Sequence, residues 1–403
     1  VLAIGCMSLA MALSLRPVWP ERWFGGLDKM YRLHKWLDIG ALVLAVTHWL
    51  WVNGPKWAVG WGLLTRPERG ARTPAENPVE AFLETYRDAA ESFGEWAFYG
   101  AVVLIVIALA SRIPYRWFHL SHRLFPIAYL VLVFHAIVLT DFHYWLSPLG
   151  LVLILMLSIG AYAAIVSLSG RIQAGRRVTG TIASLNYFPG VKSLETVIDM
   201  KPGWPGHKPG QFAFAMSNPK EGQHPYTIAS AWNPDEPQIT FITKELGDHT
   251  ARLPQMLKVG QPVSIEGPYG CFTFDDGLAH QIWVGGGIGI TPFIARMKYL
   301  ALTGRRPDEQ VIDLFHATAE EDPDALNKLA EDAAKANVRL HVLIDKKDGY
   351  LTAERIRQEA PYWQDASIWF CGPAGFGQSL RSDFAAHGFD VEKRFHQELF
   401  QMR

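Results

Sequence analysis

The chain has 403 residues, a length typical of two or three domains. Its formal net charge of −1 gives no electrostatic reason to expect nucleic acid as a partner. The three cysteines, Cys6, Cys271 and Cys371, are too widely separated for a metal-binding motif or a disulfide framework. Any iron in this protein must therefore be held by other side chains.

The first 170 residues or so contain long uncharged apolar runs. In the remainder, apolar and polar residues alternate as in a soluble protein. A helix needs roughly 20 mostly apolar residues to cross a bilayer. The first run is short and the chain does not begin with Met, so we expect a further helix before Val1. That run lacks the charged start and the cleavage site of a signal peptide. The predicted spans are Val1–Leu15, Trp36–Val52, Phe93–Ala110, Leu124–Thr140 and Leu146–Leu168.

Basic residues cluster on one side of these spans, in segments 16–35, 112–123 and 171–177. The positive-inside rule places that side in the cytosol, so everything after residue 170 is expected to be cytosolic. The opposite side would hold the 53–92 loop, in which Lys56 and Arg66 make the bias imperfect. We therefore predict a multi-pass membrane protein.

Ionisable side chains are costly in hydrocarbon, so histidines in the apolar runs point to function. His34 and His48 bracket the second span, and His122 and His135 lie on the fourth. Each pair is about 20 Å apart along its helix, and both helices are predicted to run from inside to outside. His34 can then face His122, and His48 can face His135. Two facing imidazoles can supply both axial ligands of a haem iron, so we predict two stacked haems.

The helical angles fit this arrangement unevenly. On a straight helix His48 lies about 40° from His34, whereas His135 lies roughly 140° from His122. Either Pro126 kinks the fourth span, or the two haems are approached from different sides. A single intramembrane histidine is as often a hydrogen-bonded core residue, but two spaced pairs favour metal ligands.

After the linker near Ser169–Arg177, short β-rich runs broken by Gly and Pro predict a small antiparallel barrel. Two segments within it are candidate flavin contacts. In His224-Pro225-Tyr226-Thr227, an aromatic ring and a hydroxyl can meet an isoalloxazine and its edge. Gly247 and Thr250 precede an apolar helical stretch, where amides and a hydroxyl can seat a pyrophosphate. The predicted strands are 178–187, 194–200, 211–217, 238–244 and 262–267.

The last third alternates strands with helices, which predicts a parallel α/β sheet. A buried strand at Gln281–Val284 runs into a glycine-rich turn, where Thr291 is the predicted N-cap and Pro292 the first helical residue. Such glycines let the backbone approach a diphosphate at the helix start. Further strands are predicted at Val311–His316, Val338–Ile344 and Ser367–Phe370. The turn consists of Gly285, Gly286, Gly287, Ile288, Gly289, Ile290, Thr291 and Pro292.

Cys371-Gly372-Pro373 follows the last of these strands. Open α/β sheets bind ligands beyond the carboxyl ends of their strands, so Cys371 is expected where a nicotinamide would lie. A buried structural thiol is the alternative interpretation.

Taken together, these residues resemble the NADPH oxidase and ferric reductase superfamily, particularly the compact bacterial NADPH oxidases. The resemblance extends over almost the whole chain. It rests on the order and spacing of the histidine pairs, His224–Thr227, Gly247 with Thr250, the Gly267-Pro268-Tyr269-Gly270 turn, Gly285–Pro292, Cys371–Pro373 and the aromatic Phe400.

The resemblance implies six spanning helices, two b-type haems, FAD and a nicotinamide nucleotide. It implies a haem domain over residues 1–170, an FAD-binding barrel over 171–277 and an NAD(P)H-binding α/β domain over 278–403. The flavin contacts would include Gly267, Pro268, Tyr269 and Gly270. Cys371 and Phe400 would have catalytic positions. Cys371 would lie at the nicotinamide, and Phe400 matches the terminal aromatic that in relatives covers the flavin face and yields to the nicotinamide.

The sequence departs from the family at two places. NADPH-preferring relatives often have an Arg after the strand that ends at Thr318, but here Ala319, Glu320 and Glu321 follow. Acidic residues repel a 2′-phosphate and can accept ribose hydroxyls, so NADH is expected to serve as well or better. Animal oxidases have an extra outer histidine where this chain has Val52, so the oxygen pocket is not carried over.

The predicted enzyme is a transmembrane NAD(P)H oxidase that reduces O2 to superoxide on the outer side. A ferric or cupric chelate reductase with the same electron-transfer route is the close alternative. The third candidate is an electron-transfer subunit that feeds a docked periplasmic protein. In each case electrons would pass from the nucleotide through flavin to the His34/His122 level and then to the His48/His135 level.

Overall fold

The computed structural model describes residues 1–66, 77–110, 115–218, 221–304 and 310–398. The chain forms two compact units. The first consists of Val1–Pro17 and Met30–Ala174, and contains the apolar helices. The second contains the chain from Gly175 onward and, in addition, Val18–Lys29. That short segment, predicted as a loop between spans, thus belongs to the unit that holds the β-strands.

The amino-terminal part is all helical, and each of the five predicted apolar runs contains a helix. Leu27–Gly60, Arg87–Leu109, Leu120–Leu139 and Pro148–Leu168 are long and apolar enough to cross a membrane, whereas Leu2–Ser14 is shorter. The helices up to residue 168 are α1 (Leu2–Ser14), α2 (Glu21–Phe24), α3 (Leu27–Gly60), α4 (Pro78–Thr85), α5 (Arg87–Leu109), α6 (Tyr115–His122), α7 (Phe125–Leu139), α8 (Phe142–Trp145) and α9 (Pro148–Leu168).

Small residues allow these helices to pack closely. A Cβ added to Gly160 of α9 would lie 2.0 Å from the Tyr129 hydroxyl of α7, so this position has room only for hydrogen. The Tyr129 hydroxyl lies 2.8 Å from Ser8 Oγ of α1, and both side chains are buried. In an apolar environment without water, polar groups need partners within the protein, and this pair satisfies both.

The helical segment that carries His122 and His135 is interrupted at the start of the fourth predicted span. Helix α6 ends at His122 and α7 begins at Phe125, with a turn between them. Pro126 has no N–H group, so it cannot donate the helical hydrogen bond to the carbonyl of His122. The proline thus breaks the helix between the two histidines, and the angle expected for a straight helix does not apply.

A six-stranded antiparallel sheet follows, in the order β4-β3-β6-β1-β2-β5. An isolated bridge between Ile228, just after β4, and Phe241 of β5 joins its two edges, so the sheet curls into a barrel. The five predicted strands are present, and the segment His224–Thr227 forms a sixth. The strands are β1 (Arg177–Phe188), β2 (Ser193–Met200), β3 (Phe212–Met216), β4 (His224–Thr227), β5 (Gln238–Lys244) and β6 (Pro262–Tyr269); the one-turn helix α10 (Leu253–Met256) lies between the last two.

The last part is a five-stranded parallel sheet in the order β11-β10-β7-β8-β9, with helices between its strands. The predicted fold class, a helical transmembrane part with a ferredoxin-reductase-like module, is confirmed. The elements are β7 (His280–Gly286), α11 (Thr291–Thr303), β8 (Val311–Thr318), α12 (Pro323–Lys335), β9 (Arg339–Ile344), α13 (Asp345–Asp348), α14 (Ala353–Glu359), β10 (Ser367–Cys371), α15 (Ala374–Ala386), α16 (Val391–Arg394) and β11 (Phe395–Gln397).

Candidate functional site

His34 of α3 and His122 at the end of α6 lie close together. Their ring centroids are 6.1 Å apart, with an angle of 66° between the ring planes. Both line a cleft with about 460 Å³ of empty space, part of it open to the surroundings. Helices α1, α7 and α9 contribute Met11, Tyr129 and Ser167 to the lining. The first predicted histidine pair is thus assembled in the structure.

One ring nitrogen of His34 is held by the backbone of another helix. Its Nδ1 lies 2.9 Å from the carbonyl oxygen of Ala10 in α1. Its Nε2 lies 3.2 Å from a carboxylate oxygen of Asp38, one turn further along α3. A carbonyl partner on one nitrogen fixes the tautomer and orientation of a metal-binding histidine. To bind a metal through Nε2, His34 would have to exchange its contact with Asp38 for the ion.

The second pair shows the same anchoring at His135. Its Nδ1 lies 2.9 Å from the carbonyl oxygen of Ala90 in α5. A Cβ added to Gly94, one turn beyond Ala90, would lie 1.9 Å from that nitrogen. His48 is on the unbroken helix α3, about 21 Å from His34 along the axis. Among the described residues, no ring contact like that of His34 and His122 joins His48 to His135.

This geometry is compatible with bis-imidazole haem iron at the first pair. Two imidazoles that share one metal ion through bonds of about 2 Å have ring centres roughly 6 Å apart. The cleft provides apolar walls beside the two rings, and the Ala10 carbonyl orients one of them. At the second pair, the contact of His135 with the Ala90 carbonyl fits a haem ligand. The described rings of His48 and His135 are not in contact.

In the barrel, the predicted flavin-contacting segments His224–Thr227 and Gly267–Gly270 lie at one level of the sheet. Phe212 of β3 pairs with Thr227 of β4 on one side and with Tyr269 of β6 on the other. The Thr227 hydroxyl is buried and has no hydrogen-bond partner among the described residues. A buried polar atom without a partner costs free energy, so Thr227 fits a ligand that supplies one. His224, Pro225 and Tyr226 are half-buried beside it.

The Gly247–Thr250 segment adjoins β4 through a histidine. His249 Nε2 lies 3.0 Å from the Tyr226 hydroxyl. The predicted helix after this segment is only a 3-10 turn, Thr250–Arg252, followed by the single turn α10. The Thr250 hydroxyl accepts from the N–H groups of Leu246, at 3.0 Å, and Gly247, at 3.2 Å. It therefore shapes its own loop.

The Gly267–Gly270 turn is built around buried polar contacts. Tyr269 is fully buried, and its hydroxyl donates to Glu266 Oε1 at 3.0 Å. The backbone N–H of Gly270 donates to Glu21 Oε1 at 2.7 Å. Pro268 offers its carbonyl to Arg176 at 3.1 Å. Tyr269 is thus a core residue, whereas Gly270 fixes the Val18–Lys29 segment to the barrel.

The glycine-rich turn and the Cys371–Pro373 segment meet, backbone against backbone. Gly285 of β7 pairs with Cys371 of β10. A Cβ on Gly289 would lie 2.1 Å from the Cys371 carbonyl oxygen, and one on Gly286 would lie 2.9 Å from Pro373 Cδ. Gly372 approaches the Gly286 backbone equally closely. These glycines are needed for close packing of the two strand ends.

Gly287 has a different role from its neighbours. Its φ is +54°, in the left-handed region, and nothing lies within 4 Å of an added Cβ, so its outer face is open. Thr291 is the first residue of α11, Pro292 follows it, and Ile290 occupies the N-cap position. Thr291, predicted as the N-cap, is therefore the first helical residue, one position further along the chain. The Thr291 hydroxyl instead donates to the Ile288 carbonyl at 2.8 Å.

A cavity with about 770 Å³ of empty space opens beside this turn, at the carboxyl ends of β7 and β8. Gly287, Ile288 and Thr318 line it. Lys244 of β5 spans it to Glu320, with 2.6 Å between Nζ and Oε2. The lysine lowers the pKa of the Glu320 carboxyl. The location is that expected for a ligand of an open α/β sheet.

His316 forms part of the wall of this cavity. It is almost fully buried, and burial lowers its pKa to about 4, so the ring is neutral at physiological pH. Its Nδ1 lies 3.1 Å from the Gly285 carbonyl oxygen, which can only accept. Nε2 therefore bears the lone pair and is the acceptor atom of this ring.

Cys371 is completely buried, and burial raises the pKa of its thiol well above the usual value. It is not a reactive thiolate. Glu398, just after β11, is also buried, and its Oε2 has no hydrogen-bond partner among the described residues. Burial, followed by the neighbouring Asp28, raises the pKa of Glu398 to about 8, and Lys29 acts in the opposite direction. Phe400, the predicted terminal aromatic, lies outside the described residues.

Sequence reasoning did not single out Glu21, Glu221, His249 or Glu398. Only His249 had a visible signal, because it sits within the Gly247–Thr250 motif. The others are recognised through partners distant in sequence: Glu21 contacts Gly270, and Glu221 contacts His249. Such contacts leave no local pattern.

Comparisons with known proteins match both parts of the chain. Residues 1–133 match the family model described as ferric reductase like transmembrane component. The glycine betaine monooxygenase reductase subunit of Pseudomonas aeruginosa (strain UCBPP-PA14) is 27% identical over 210 residues, which are 48% of this chain and 56% of that protein. Respiratory burst oxidase homolog protein A of Solanum tuberosum is 26% identical over 298 residues, 60% of this chain and 30% of the relative.

Flavohemoglobin from Malassezia yamatoensis aligns structurally with a TM-score of 0.49 and 19% identity, over 77% of this chain and 85% of that chain. The chain spans about half the length of the first curated relatives that it matches.

We expect Glu398 to make the stability of the protein fall as pH rises. Its folded pKa is raised, so the folded state holds a proton that the unfolded state has lost. The stabilisation is complete below the ordinary glutamate pKa and is lost as pH rises through about 8. The slope is at most about 1.4 kcal/mol per pH unit. Thermal unfolding, followed by tryptophan fluorescence of the full chain, measures it.

The pH range from about 6.5 to 8.5 isolates this effect, because the buried His207 and His316 have pKa values of about 4. Glu398→Gln should flatten the dependence, whereas Glu331→Gln, which is exposed on α12, should leave it unchanged. An unaltered slope in Glu398→Gln would show that another group titrates.

Proposed function

We propose that this membrane oxidoreductase, whose residues 1–133 belong to the ferric-reductase-like transmembrane components, is a transmembrane NAD(P)H oxidase. It takes electrons from NAD(P)H on the cytosolic side and delivers them to O2 on the outer side, with superoxide as the product. The observation that carries this proposal is the pair of anchored histidines, His34 on the Ala10 carbonyl and His135 on the Ala90 carbonyl.

The alternative role for such histidines is packing. A packing histidine in an apolar helix satisfies both of its nitrogens within the protein, since water is absent there. His34 contacts Asp38 through Nε2 and would have to release it to bind a metal. Both His34 and His135, however, fix Nδ1 on a carbonyl of a neighbouring helix, and His34 faces the ring of His122. This is the arrangement of a metal-bound imidazole and its outer partner.

His34 and His122 would hold one haem, and His48 and His135 a second. FAD would be held by His224–Thr227 and by Gly247, Thr250 and Gly270, and NAD(P)H by Gly285–Pro292 and Cys371–Pro373. When bound, flavin exchanges hydride as well as single electrons, and haem with two imidazole ligands exchanges single electrons without an open iron position.

The chain's own residues bind and orient these groups. The Thr227 hydroxyl, which has no hydrogen-bond partner among the described residues, would form a hydrogen bond with the flavin. The open face of Gly287 admits a phosphate group close to the backbone at the start of α11. The completely buried, protonated Cys371 thiol would have a packing role at the strand end where a nicotinamide is expected. Phe400 would cover the flavin face until the nicotinamide displaces it.

A ferric chelate reductase is the second candidate, and two observations favour it. The family model that matches residues 1–133 is described as a ferric reductase like transmembrane component. In addition, Val52 occupies the position of the extra outer histidine of animal oxidases. An electron-transfer subunit for a periplasmic protein would use the same internal route.

Superoxide production tests the oxidase proposal. The solubilised protein, supplied with haem, FAD and NADH or NADPH, should reduce cytochrome c, and superoxide dismutase should abolish that reduction. Dismutase-insensitive reduction, together with anaerobic reduction of ferric chelates, would instead establish the reductase. A docked protein acceptor would be indicated if neither oxygen nor chelates sustained turnover.

Gly94→Ala should halve the haem content. The added Cβ would lie 1.9 Å from His135 Nδ1, so the imidazole must move and lose its bond to the Ala90 carbonyl. We expect one haem per chain, by haem extraction and absorbance, with FAD content unchanged. Gly100→Ala on the same helix is the matched control, because nothing lies within 4 Å of its Cβ. Two haems in Gly94→Ala would contradict the assignment of His135.

Glu320→Ala should shift nucleotide preference towards NADPH. The carboxylate lines the cavity at the end of β8 and repels a 2′-phosphate, and its removal also frees Lys244 to pair with that phosphate. We expect the ratio of kcat/KM for NADPH to that for NADH to rise about tenfold, or about 1.4 kcal/mol. Glu331→Ala, exposed on α12, should leave the ratio unchanged. An unchanged ratio in Glu320→Ala would place the ribose elsewhere.

A further inference from the structure

Five side chains in and beside β4 form a connected group, and the proposed function gives three of them, Glu221, His249 and Arg252, no role. The rings of His224 and His249 are stacked, with centroids 3.7 Å apart and an angle of 9°. His249 Nε2 lies 3.0 Å from the Tyr226 hydroxyl, and its Nδ1 forms a short contact with Glu221 Oε2. Arg252 pairs with the other Glu221 oxygen at 3.1 Å. The side chains of His249 and Glu221 are 17% and 21% exposed.

The chemistry of these contacts fixes most of the hydrogen positions. An ionised carboxylate only accepts hydrogen bonds, so Nδ1 of His249 carries a proton in either charge state of the ring. Nε2 then carries a lone pair when the ring is neutral and a hydrogen when the ring is protonated. With a neutral ring, the Tyr226 hydroxyl donates to Nε2. With a protonated ring, Nε2–H donates to Tyr226, whose own hydrogen must point away from His249.

We propose that His249 is a positioning residue that sets the direction of the Tyr226 O–H bond at the flavin site. Protonated His249 turns this donor towards the flavin, and neutral His249 withdraws it. Glu221 holds the tautomer, and Arg252 holds Glu221. The inference rests on the proposed placement of Tyr226 against the flavin.

The stacking of His249 on His224 limits the charge that the two rings can carry together. Two parallel imidazoles in contact cannot both carry a positive charge without strong repulsion, so only one of them is protonated at a time. Glu221 accepts a hydrogen bond from Nδ1 of His249. The groups that face His249 are Glu221, His224 and Tyr226, with Arg252 behind Glu221.

A metal ion bound by Glu221, His224 and His249 is the competing explanation, because their ligand atoms lie within 4.8 Å of one another. Ring nitrogens bind metals in the ring plane. In a parallel stack the lone pairs of the two rings run side by side and do not converge on one ion. The observed rings therefore favour a hydrogen-bonding role.

The flavin should respond to the charge on His249 in two measurable ways. A hydrogen bond to the flavin contributes about 0.5–1.5 kcal/mol, so FAD should bind about two- to tenfold more tightly at pH 5.5 than at pH 8.5. The same donor stabilises the reduced flavin, so the flavin midpoint potential should be more positive at the lower pH than proton uptake alone requires.

His249→Phe and Tyr226→Phe test the mechanism in the full chain. Phenylalanine at 249 retains a ring that can stack on His224 but has no nitrogens. Each variant should remove most of the additional pH dependence of FAD affinity and potential. The double variant should behave like Tyr226→Phe alone, because His249 acts through that hydroxyl. Additive effects would overturn the proposal. Glu221→Gln, which no longer dictates the tautomer, should weaken the pH dependence while preserving the stack.

The outcomes separate this inference from the flavin site itself. If Tyr226→Phe and Thr227→Ala both leave FAD affinity unchanged, the proposed flavin site is wrong. If they weaken FAD binding while His249→Phe retains the wild-type pH dependence, only the role of His249 is refuted. Stoichiometric Zn²⁺ binding to the wild type that is lost in His249→Phe would favour the metal site and overturn the proposal.

Discussion

Within the apolar helices, every polar nitrogen and oxygen has to find its partner in the protein or in a bound group. This constraint shapes the first unit. Tyr129 satisfies its hydroxyl on Ser8, and Gly160 leaves the space for it. His34 and His135 satisfy Nδ1 on the carbonyls of Ala10 and Ala90. A histidine with one nitrogen so fixed is prepared to use the other as a ligand, and the proposed electron route depends on it.

The second unit brings distant segments together by close backbone contact and by a few buried charges. Gly289 lies against the Cys371 carbonyl, which aligns the ends of β7 and β10. Glu21 bonds to the backbone of Gly270, so the segment between two apolar helices becomes part of the reductase module. Residues of that segment, Asp28 and Lys29, in turn affect the buried Glu398. Flavin and nucleotide sites thus depend on residues from both ends of the sequence.

The elements of the fold were largely predictable, because the patterns that specify them are local. Apolar runs marked the helices, and alternating β-rich runs marked the strands. The break at Pro126 follows from its missing N–H, but the resulting approach of His122 to His34 does not follow from spacing. The partners of the site residues were not predictable. The contacts of Glu398 with Asp28 and of Glu221 with His249 arise only from tertiary packing.

The most direct test of the central claim is anaerobic reduction of the solubilised full chain by NADH, with haem and FAD content measured in the same sample. We predict two haems and one FAD per chain, with haem reduction that requires FAD and proceeds in two stages of equal amplitude. A protein that binds no haem, or whose haem stays oxidised while its flavin is fully reduced, would contradict the account.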